Sequence, residues 1–271
     1  MSAGRFDNPL TVWVDGIGLM APGLTDWDAA APILRGDAPF VPQPTVLPAP
    51  ELLPTAERRR ASRVVKLALG LGLQAAAHAQ QDVATLATVF AASGADGHNC
   101  HALCEQLATD DRQISPTRFH NSVHNAAAGY WGIATRSMAS CQVLCAFDGS
   151  FGAGLLDAAA QVLCERQPVL LIAYDSEYPQ PLHAKRDTPD CAGVAMLLSP
   201  QRTAQSVASL EIAPGAMTPQ VMEEAGLEQL RAQIPAMRAL PLLQQLARAR
   251  AGAVCLDYLA AMPLAVEVRP C

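Results

Sequence analysis

The sequence predicts an α/β layered domain in which helices cover a mostly parallel sheet. Short apolar runs of strand length alternate with longer runs of helical period. Gly, Pro and Asp-Gly-Ser turn signals separate them. The composition also suits a large buried core: 51% of the 271 residues are hydrophobic and 16% are charged, against roughly 25% charged in an ordinary soluble domain. That length suits one large domain or two small ones. So little charge predicts that part of the surface is covered by a partner.

LTVWVDGIGLM, residues 10–20, reads as a strand entering a Gly-containing turn, punctuated by Ala21-Pro22-Gly23. Thr25 or Asp26 caps a helix from Trp27 to Arg35. Residues 36–54 hold many prolines and no period, so they read as a surface excursion. A long helix is predicted from Thr55 to Ala79, with Val64, Val65, Leu67 and Leu71 at helical spacing. Leu86–Ala92 has strand length, and His98–Leu107 is helical. Residues 122–135 read as a small-residue helix, 139–147 as an apolar strand and 151–166 as a helix after the turn Asp148-Gly149-Ser150. Strands follow at 169–174, 194–198 and 206–212. Thr218-Pro219 opens a helix with proline at its first position, and 241–250 forms another. The chain closes on strands at 253–259 and 264–268.

A net charge of −6 argues against nucleic acid as the main ligand. The one dense basic run, Arg58, Arg59, Arg60, Arg63 and Lys66, reads first as a solvated helix face. Its functional alternative is steering of an acidic carrier protein. No stretch of about 18 uninterrupted apolar residues occurs, so no membrane span is expected. The N-terminus lacks the charged-then-apolar pattern of a secretory signal. The eight cysteines therefore read as reduced, mostly buried thiols of a cytoplasmic protein.

The segment 114–162 carries the most information: ISPTRFHNSVHNAAAGYWGIATRSMASCQVLCAFDGSFGAGLLDAAAQV. A helix, a strand, a sharp turn and a second helix follow one another. The turn is presented at the carboxyl end of the sheet, where a helix N-terminus offers free N–H groups and a positive dipole end. An enzyme of this architecture places its nucleophile there.

In these residues the chain resembles the β-ketoacyl synthases of the thiolase fold. VDGIGLMAPGLTDWDAAAPILRG is similar to their first strand, turn and helix, and ATVFAASGADG to their third strand and glycine turn. ISPTRFHNSVHNAAAG resembles the segment leading to their buried Asn-x-x-x-Gly helix, with Asn125 and Gly129 in the structural positions. SCQVLCAFDGSFGAGLLDAA resembles the nucleophile strand, elbow and helix. The resemblance covers roughly residues 10–200. It implies one thiolase-like half, a layered α/β/α arrangement on a mixed, mostly parallel five-stranded sheet, over residues 1–205. Residues 206–271 would form an α+β extension packed on the same domain.

Two departures shape the functional expectation. Counting forward from Gly129, the family's nucleophilic cysteine falls on Asp148, whose carboxylate is a poor nucleophile toward a thioester. Complete ketosynthases also carry histidines in a second half, and no histidine follows residue 200 here. A ketosynthase-like chain without its cysteine resembles a chain-length factor, an inactive subunit that pairs with an active ketosynthase and shapes the tunnel for the growing acyl chain. The wording NSVHNAAAGYW most resembles the truncated chain-length-factor-like proteins of aryl polyene pigment clusters. The resemblance implies a heterodimer with an active ketosynthase, an acyl carrier protein bearing the chain, and neither cofactor nor metal. Ser140, Cys141, Gln142, Val143, Leu144, Cys145, Ala146 and Phe147 would form the dimer-interface strand, which also satisfies an apolar edge that is hazardous alone. Ala95, His98, Cys100, His101, Cys104 and Phe119 would shape the tunnel.

Blander and rival readings accompany these. The tunnel residues taken singly can simply fill a core. His98, Cys100, His101 and Cys104 are a small His/Cys cluster, but zinc needs two tightly spaced ligand pairs, so helix residues near an interface fit better. Cys141 and Cys145 read as packing. His120 and His124 read as structural histidines. A rival enzyme reading takes Asp148-Gly149-Ser150-Phe151-Gly152 as a degenerate hydrolase elbow, a serine esterase with nucleophile Ser150 followed by Asp175 and His183. A homodimeric scaffold that only docks carrier protein is the second binding alternative.

Overall fold

The computed structural model of the chain describes residues 8–271. The elements run β1 (Leu10–Met20), α1 (Trp27–Arg35), α2 (Thr55–Arg60), α3 (Arg63–His78), β2 (Ala87–Ala91), α4 (Gly97–Leu107), α5 (Pro116–Asn121), α6 (Ala126–Thr135), β3 (Cys141–Leu144) and α7 (Ser150–Glu165). They continue with β4 (Val169–Asp175), β5 (Ala192–Ser199), β6 (Ala208–Pro214), α8 (Ala225–Gln233), α9 (Leu240–Ala247), β7 (Gly252–Leu259) and β8 (Met262–Pro270). None of these helices is long and apolar enough to cross a membrane.

The fold class is the expected mixed α/β layering, on one sheet in the order β3-β2-β4-β5-β1-β6-β8-β7. Two details are corrected. The sheet has eight strands rather than five, because β6, β8 and β7 continue it past β1. Only β3, β2 and β4 run parallel to one another; every other pair is antiparallel. The connections explain this. Parallel neighbours need a crossover helix, which α4–α6 and α7 supply between β2, β3 and β4. Between β4 and β5 there is only a 3-10 turn over Leu182–Ala184 and no α-helix.

Side chains alternate across the buried strands. Val169, Leu171 and Ala173 of β4 join the core under α1, α7, α8 and α9. Leu170, Ile172 and Tyr174 join the opposite core under α3 and α6. On that second face α3 lies very close to β1. A Cβ at Gly16 would sit 2.1 Å from the Ala75 carbonyl oxygen, and one at Gly18 2.3 Å from that of Leu71. The helix answers with polar groups: His78 Nδ1 accepts the Ile17 N–H and Gln74 Oε1 accepts that of Leu19, both at 3.0 Å.

Several predicted elements are redrawn by local chemistry. The helix expected over 55–79 breaks at Ala61, where Ser62 caps a new helix by accepting the Val65 N–H. The helix expected over 122–135 begins late, at Ala126, and a separate short helix that the sequence reading did not place, α5, precedes it, capped by Ser115 with Pro116 at its first position. The strand expected over 139–147 shrinks to Cys141–Leu144, the stretch that short β2 can pair. No helix starts at Thr218. Gln220 N–H goes to the Cys255 carbonyl and Met222 N–H to Glu228, so the helix waits for the Glu224 cap. The cysteines are all free, yet only Cys191 and Cys255 are buried, because most of the others stand on helix faces and the sheet edge.

Replacing Gly18 by alanine should destabilise the protein by about 1–3 kcal/mol, because the obstacle is backbone and cannot rotate away. Denaturant midpoints measure it; an unchanged midpoint would mean that α3 can lift from the sheet freely.

Candidate functional site

The elbow lies between β3 and α7. A 3-10 turn over Phe147–Gly149 delivers the chain to Ser150 at the start of the helix. Phe147 adopts φ +51°, a left-handed conformation that is strained for an aromatic residue. The Ser150 hydroxyl holds the turn: it donates to the Phe147 carbonyl at 2.6 Å and accepts the Ala146 N–H at 3.0 Å. Gly149 and Gly152 let Tyr258 of β7 close the elbow from behind; a Cβ at Gly149 would lie 2.9 Å from the Tyr258 carbonyl oxygen.

Asp148 stands on this turn, half-buried, and accepts from two arginines. Arg186 Nη2 lies 2.7 Å from Oδ1, and Arg238 Nη2 lies 3.4 Å from Oδ2. The Arg186 guanidinium also covers the Phe147 ring, 4.2 Å from its centroid. Burial works against the Arg186 charge, but the hydrogen bond and attraction of Asp148 outweigh it and raise its pKa. Next to this pair, Asp175 ends β4 fully enclosed. It accepts from Ser93 N and Oγ through Oδ1 and from Ala236 N through Oδ2. Burial lifts its pKa from 3.8 to about 6 against the opposing pull of those bonds and of Arg186. Beyond Asp148 a cavity of about 760 Å³ opens, walled by Arg238, Tyr258, Met217 and Pro263.

The serine-hydrolase arrangement is not assembled. Ser150 is buried and its hydroxyl is committed to backbone. His183 faces Asp187 at 3.4 Å, and Asp175 serves Ser93 and Ala236. Cys145, expected inside the packing, is exposed just past β3 and donates to the Ser93 carbonyl at 3.3 Å. Cys141 is exposed as well.

Four of the six tunnel candidates share one cavity of about 580 Å³: Ala95, Cys100, His101 and Cys104 form its α4 wall. Tyr178, Pro181, Leu182 and Lys185 form the facing wall. His98 turns away toward Glu177, 3.8 Å distant, and Phe119 is exposed on α5. Among the described residues the one group at metal-ligand spacing is Glu177, Asp190 and Cys191. The Arg63 guanidinium already bonds all three, at 2.8, 2.6 and 3.2 Å.

The sheet ends at β3. Its Ser140 and Leu144 carbonyls face β2, so by alternation the N–H and C=O groups of Cys141 and Val143 face outward. Ser140, Gln142 and Phe147 are exposed, and Val143, Leu144 and Ala146 are half-buried. The α6 helix next to it buries Ala127, Tyr130 and Trp131, but Asn125 and Gly129 are exposed, contrary to a buried Asn-x-x-x-Gly helix. Ile133 and the almost fully exposed Met138 extend that face. His124 Nε2 meets the Ala92 carbonyl at 3.2 Å, while His120 is exposed. Of the basic run, Arg58 binds the Glu51 and Leu53 carbonyls, Arg60 pairs with Glu57 and Arg63 bonds the acidic pair.

Sequence reasoning missed Arg186 and Arg238, which lie 38 and 90 residues from Asp148. The local pattern carries no signal for either.

Asp175 makes stability pH-dependent. Above about pH 6 the folded chain holds the carboxylate ionised and buried, at full cost. As pH falls through 6 the folded state takes up a proton before the unfolded one, so stability rises until the unfolded chain also protonates near 3.8. The gap corresponds to about 3 kcal/mol. The stability of the protein relative to Asp175→Asn should therefore increase by up to that amount between pH 7 and pH 4, read by denaturant titration. A flat difference would mean an ordinary carboxyl. Ser150 should leave a fluorophosphonate probe unreacted; a labelled Ser150 peptide in mass spectrometry would contradict its burial.

No curated protein sequence matches this chain. Its fold is shared with solved structures. The chain aligns with one from the complex of the ketosynthase ApeO with its chain length factor ApeC from Xenorhabdus doucetiae, at TM-score 0.70 and 21% identity over 95% of this chain and 99% of that one. The ishigamide ketosynthase/chain length factor aligns at TM-score 0.67 and 15% identity, covering 96% and 99%. AntDE:AntF, a type II PKS acyl-carrier protein in complex with its ketosynthase bound to the hexaketide, aligns at 0.72 and 11%, also over 96% and 99%. The profile of the β-ketoacyl synthase N-terminal domain matches residues 33–258, which include the elbow, the α4 cavity and the strands from β2 to β6. By that match the chain belongs to the β-ketoacyl synthase N-terminal domain family.

Proposed function

We propose that this chain is a non-catalytic chain-length-factor subunit, which pairs in the cytoplasm with an active β-ketoacyl synthase and shapes its acyl tunnel. The observation that supports this reading is the elbow itself: a carboxylate bridged by two arginines stands on the strand-to-helix turn, the place where the motif count would put the family's cysteine. A thioester carbonyl arriving there would meet no nucleophile, so the Claisen condensation belongs to the partner's cysteine. In this reading residues 1–205 are the ketosynthase-like half and residues 206–271 an extension that widens the sheet.

The exposed edge of β3 and the outer face of α6 support the pairing. Segment 140–147 would pair antiparallel with the equivalent strand of the ketosynthase, satisfying the outward groups of Cys141 and Val143. Asn125 and Gly129 would then be covered by the partner. The cavity lined by Ala95, Cys100, His101 and Cys104 would hold the end of an acyl chain delivered by an acyl carrier protein. His98 and Phe119 would act from outside it. The chain would be of polyene or polyketide type, with an aryl polyene pigment as the specific product.

Co-expression with a cysteine-bearing ketosynthase should give one heterodimeric species in size-exclusion chromatography. Two separate monomers would overturn the pairing, and a stable homodimer that binds carrier protein without a ketosynthase would favour the scaffold alternative. In the reconstituted pair, Ala95→Phe should shorten the product and His101→Ala lengthen it, read by mass spectrometry. An unchanged distribution across both would remove the tunnel role.

A further inference from the structure

Residues 176–191 form a strap from the end of β4 to the start of β5. The strap supplies the outer wall of the α4 cavity through Tyr178, Pro181, Leu182 and Lys185. Tyr178 fits against the glycine turn so closely that a Cβ at Gly94 would lie 2.3 Å from its hydroxyl, and one at Gly97 2.4 Å from its ring. The wall position therefore sets the cavity width.

Ion pairs pin the strap at two places. At its base, Arg63 draws Glu177 and Asp190 together at 2.8 and 2.6 Å, so the two ends are clamped to one guanidinium. Near its tip, Arg186 reaches the elbow and pairs with Asp148 at 2.7 Å. Arg186 is rigidly joined to the wall, because its N–H and that of Lys185 both donate to the Leu182 carbonyl, at 3.0 and 2.9 Å. Beyond Asp148, its guanidinium makes no other side-chain hydrogen bond among the described residues: it covers the Phe147 ring, is attracted by buried Asp175, and its Nε is buried without a partner. Arg238 approaches the same carboxylate. With a thiol at position 148 the two guanidinium groups would face each other with no anion between them.

We infer that Asp148 is a positioning residue: it anchors the strap through Arg186 and so holds the outer wall of the α4 cavity against Gly94 and Gly97. The carboxylate at the elbow is then a requirement of the strap and more than the remnant of a lost nucleophile. Restoring the family's cysteine should loosen the wall. This inference rests on the chain's own contacts and goes beyond the chain-length-factor reading.

Hydrogen exchange with mass spectrometry on the full chain, alone or co-expressed with a cysteine-bearing ketosynthase, tests it. His183, Lys185, Arg186 and Thr188 donate N–H bonds inside the strap, so its opening is read directly. Asp148→Cys and Asp148→Asn should speed exchange over 182–188 by about tenfold, the scale of one charge-assisted hydrogen bond. Asp148→Glu should stay within about threefold of the parent, the conservative rescue that loss of bulk packing alone would not produce. Exchange in β4 and α3 should not change. Unchanged exchange over 182–188 in both Asp148→Cys and Asp148→Asn overturns the anchor, as does an acceleration spread evenly over the chain. If either variant fails to fold, Arg186→Gln removes the charge from the strap side and should loosen the same peptides; unchanged exchange there overturns the anchor too. Faster strap exchange with an unchanged product in the reconstituted pair keeps the anchor and counts against the tunnel role, so the two readings fail separately.

Discussion

Strand β1 is paired along both edges, to β5 and to β6, and α3 presses on its face at Gly16 and Gly18. The rest of the fold follows from that constraint. A strand buried on both sides and both edges leaves no polar backbone exposed, so its irregularity has to be answered internally. Where the register shifts at Val14–Gly16, Asp15 turns inward and takes hydroxyl hydrogens from Ser199 and Ser206. Because β1 is central, the C-terminal strands have an edge to extend, and Tyr258 of β7 is carried round to the back of the elbow.

The low charge content takes on meaning once the pairs are located. Arg63 serves Glu177, Asp190 and the Cys191 thiol, whose pKa burial pushes up to about 12. Arg186 and Arg238 serve Asp148, and Arg231 serves Glu228 and Asp257. Each unit joins segments far apart in sequence, and the first two converge on the strap beside the elbow. Exposed pairs contribute little to stability, and Arg63 is itself exposed, whereas Arg186 and Arg231 are largely buried and fix where their segments can lie. The elbow thus works as a structural junction. It holds a strained Phe147, a serine bound to backbone and an acid between two bases, and none of these is a free nucleophile.

Along the outer edge of β3, the strand that leads into this elbow, the physics is of another kind. β3 pairs on one edge only; in the chain just before it, α6 exposes Gly129 and Ile133, and Met138 stands almost fully exposed in the connection between α6 and β3. An isolated domain normally protects such an edge with charge, a bulge or a covering segment. Here Ile133, Met138 and Phe147 stand exposed beside Gly129, with Asn125, Arg136 and Gln142 among them.

The sequence by itself determined the strands, their alternation and the elbow. These rest on local periods and turn residues: LTVWVDGIGLM, VLLIAYD and the Asp-Gly-Ser turn mark their places without help from distant residues. It also placed Cys100, His101 and Cys104 on one helical segment after the turn that holds Ala95, since a period of 3.6 brings 100 and 104 onto one face. The tertiary structure alone decided strand direction past β4, the widening of the sheet to eight strands and the break at Ser62. It decided the burial of the Ser150 hydroxyl and the exposure of Asn125 and Cys145 in the same way. Above all it decided the partners of Asp148, because an ion pair depends on distance in space. Arg186 and Arg238 reach that carboxylate only after β4, the strap and the C-terminal helices have packed around the end of the sheet.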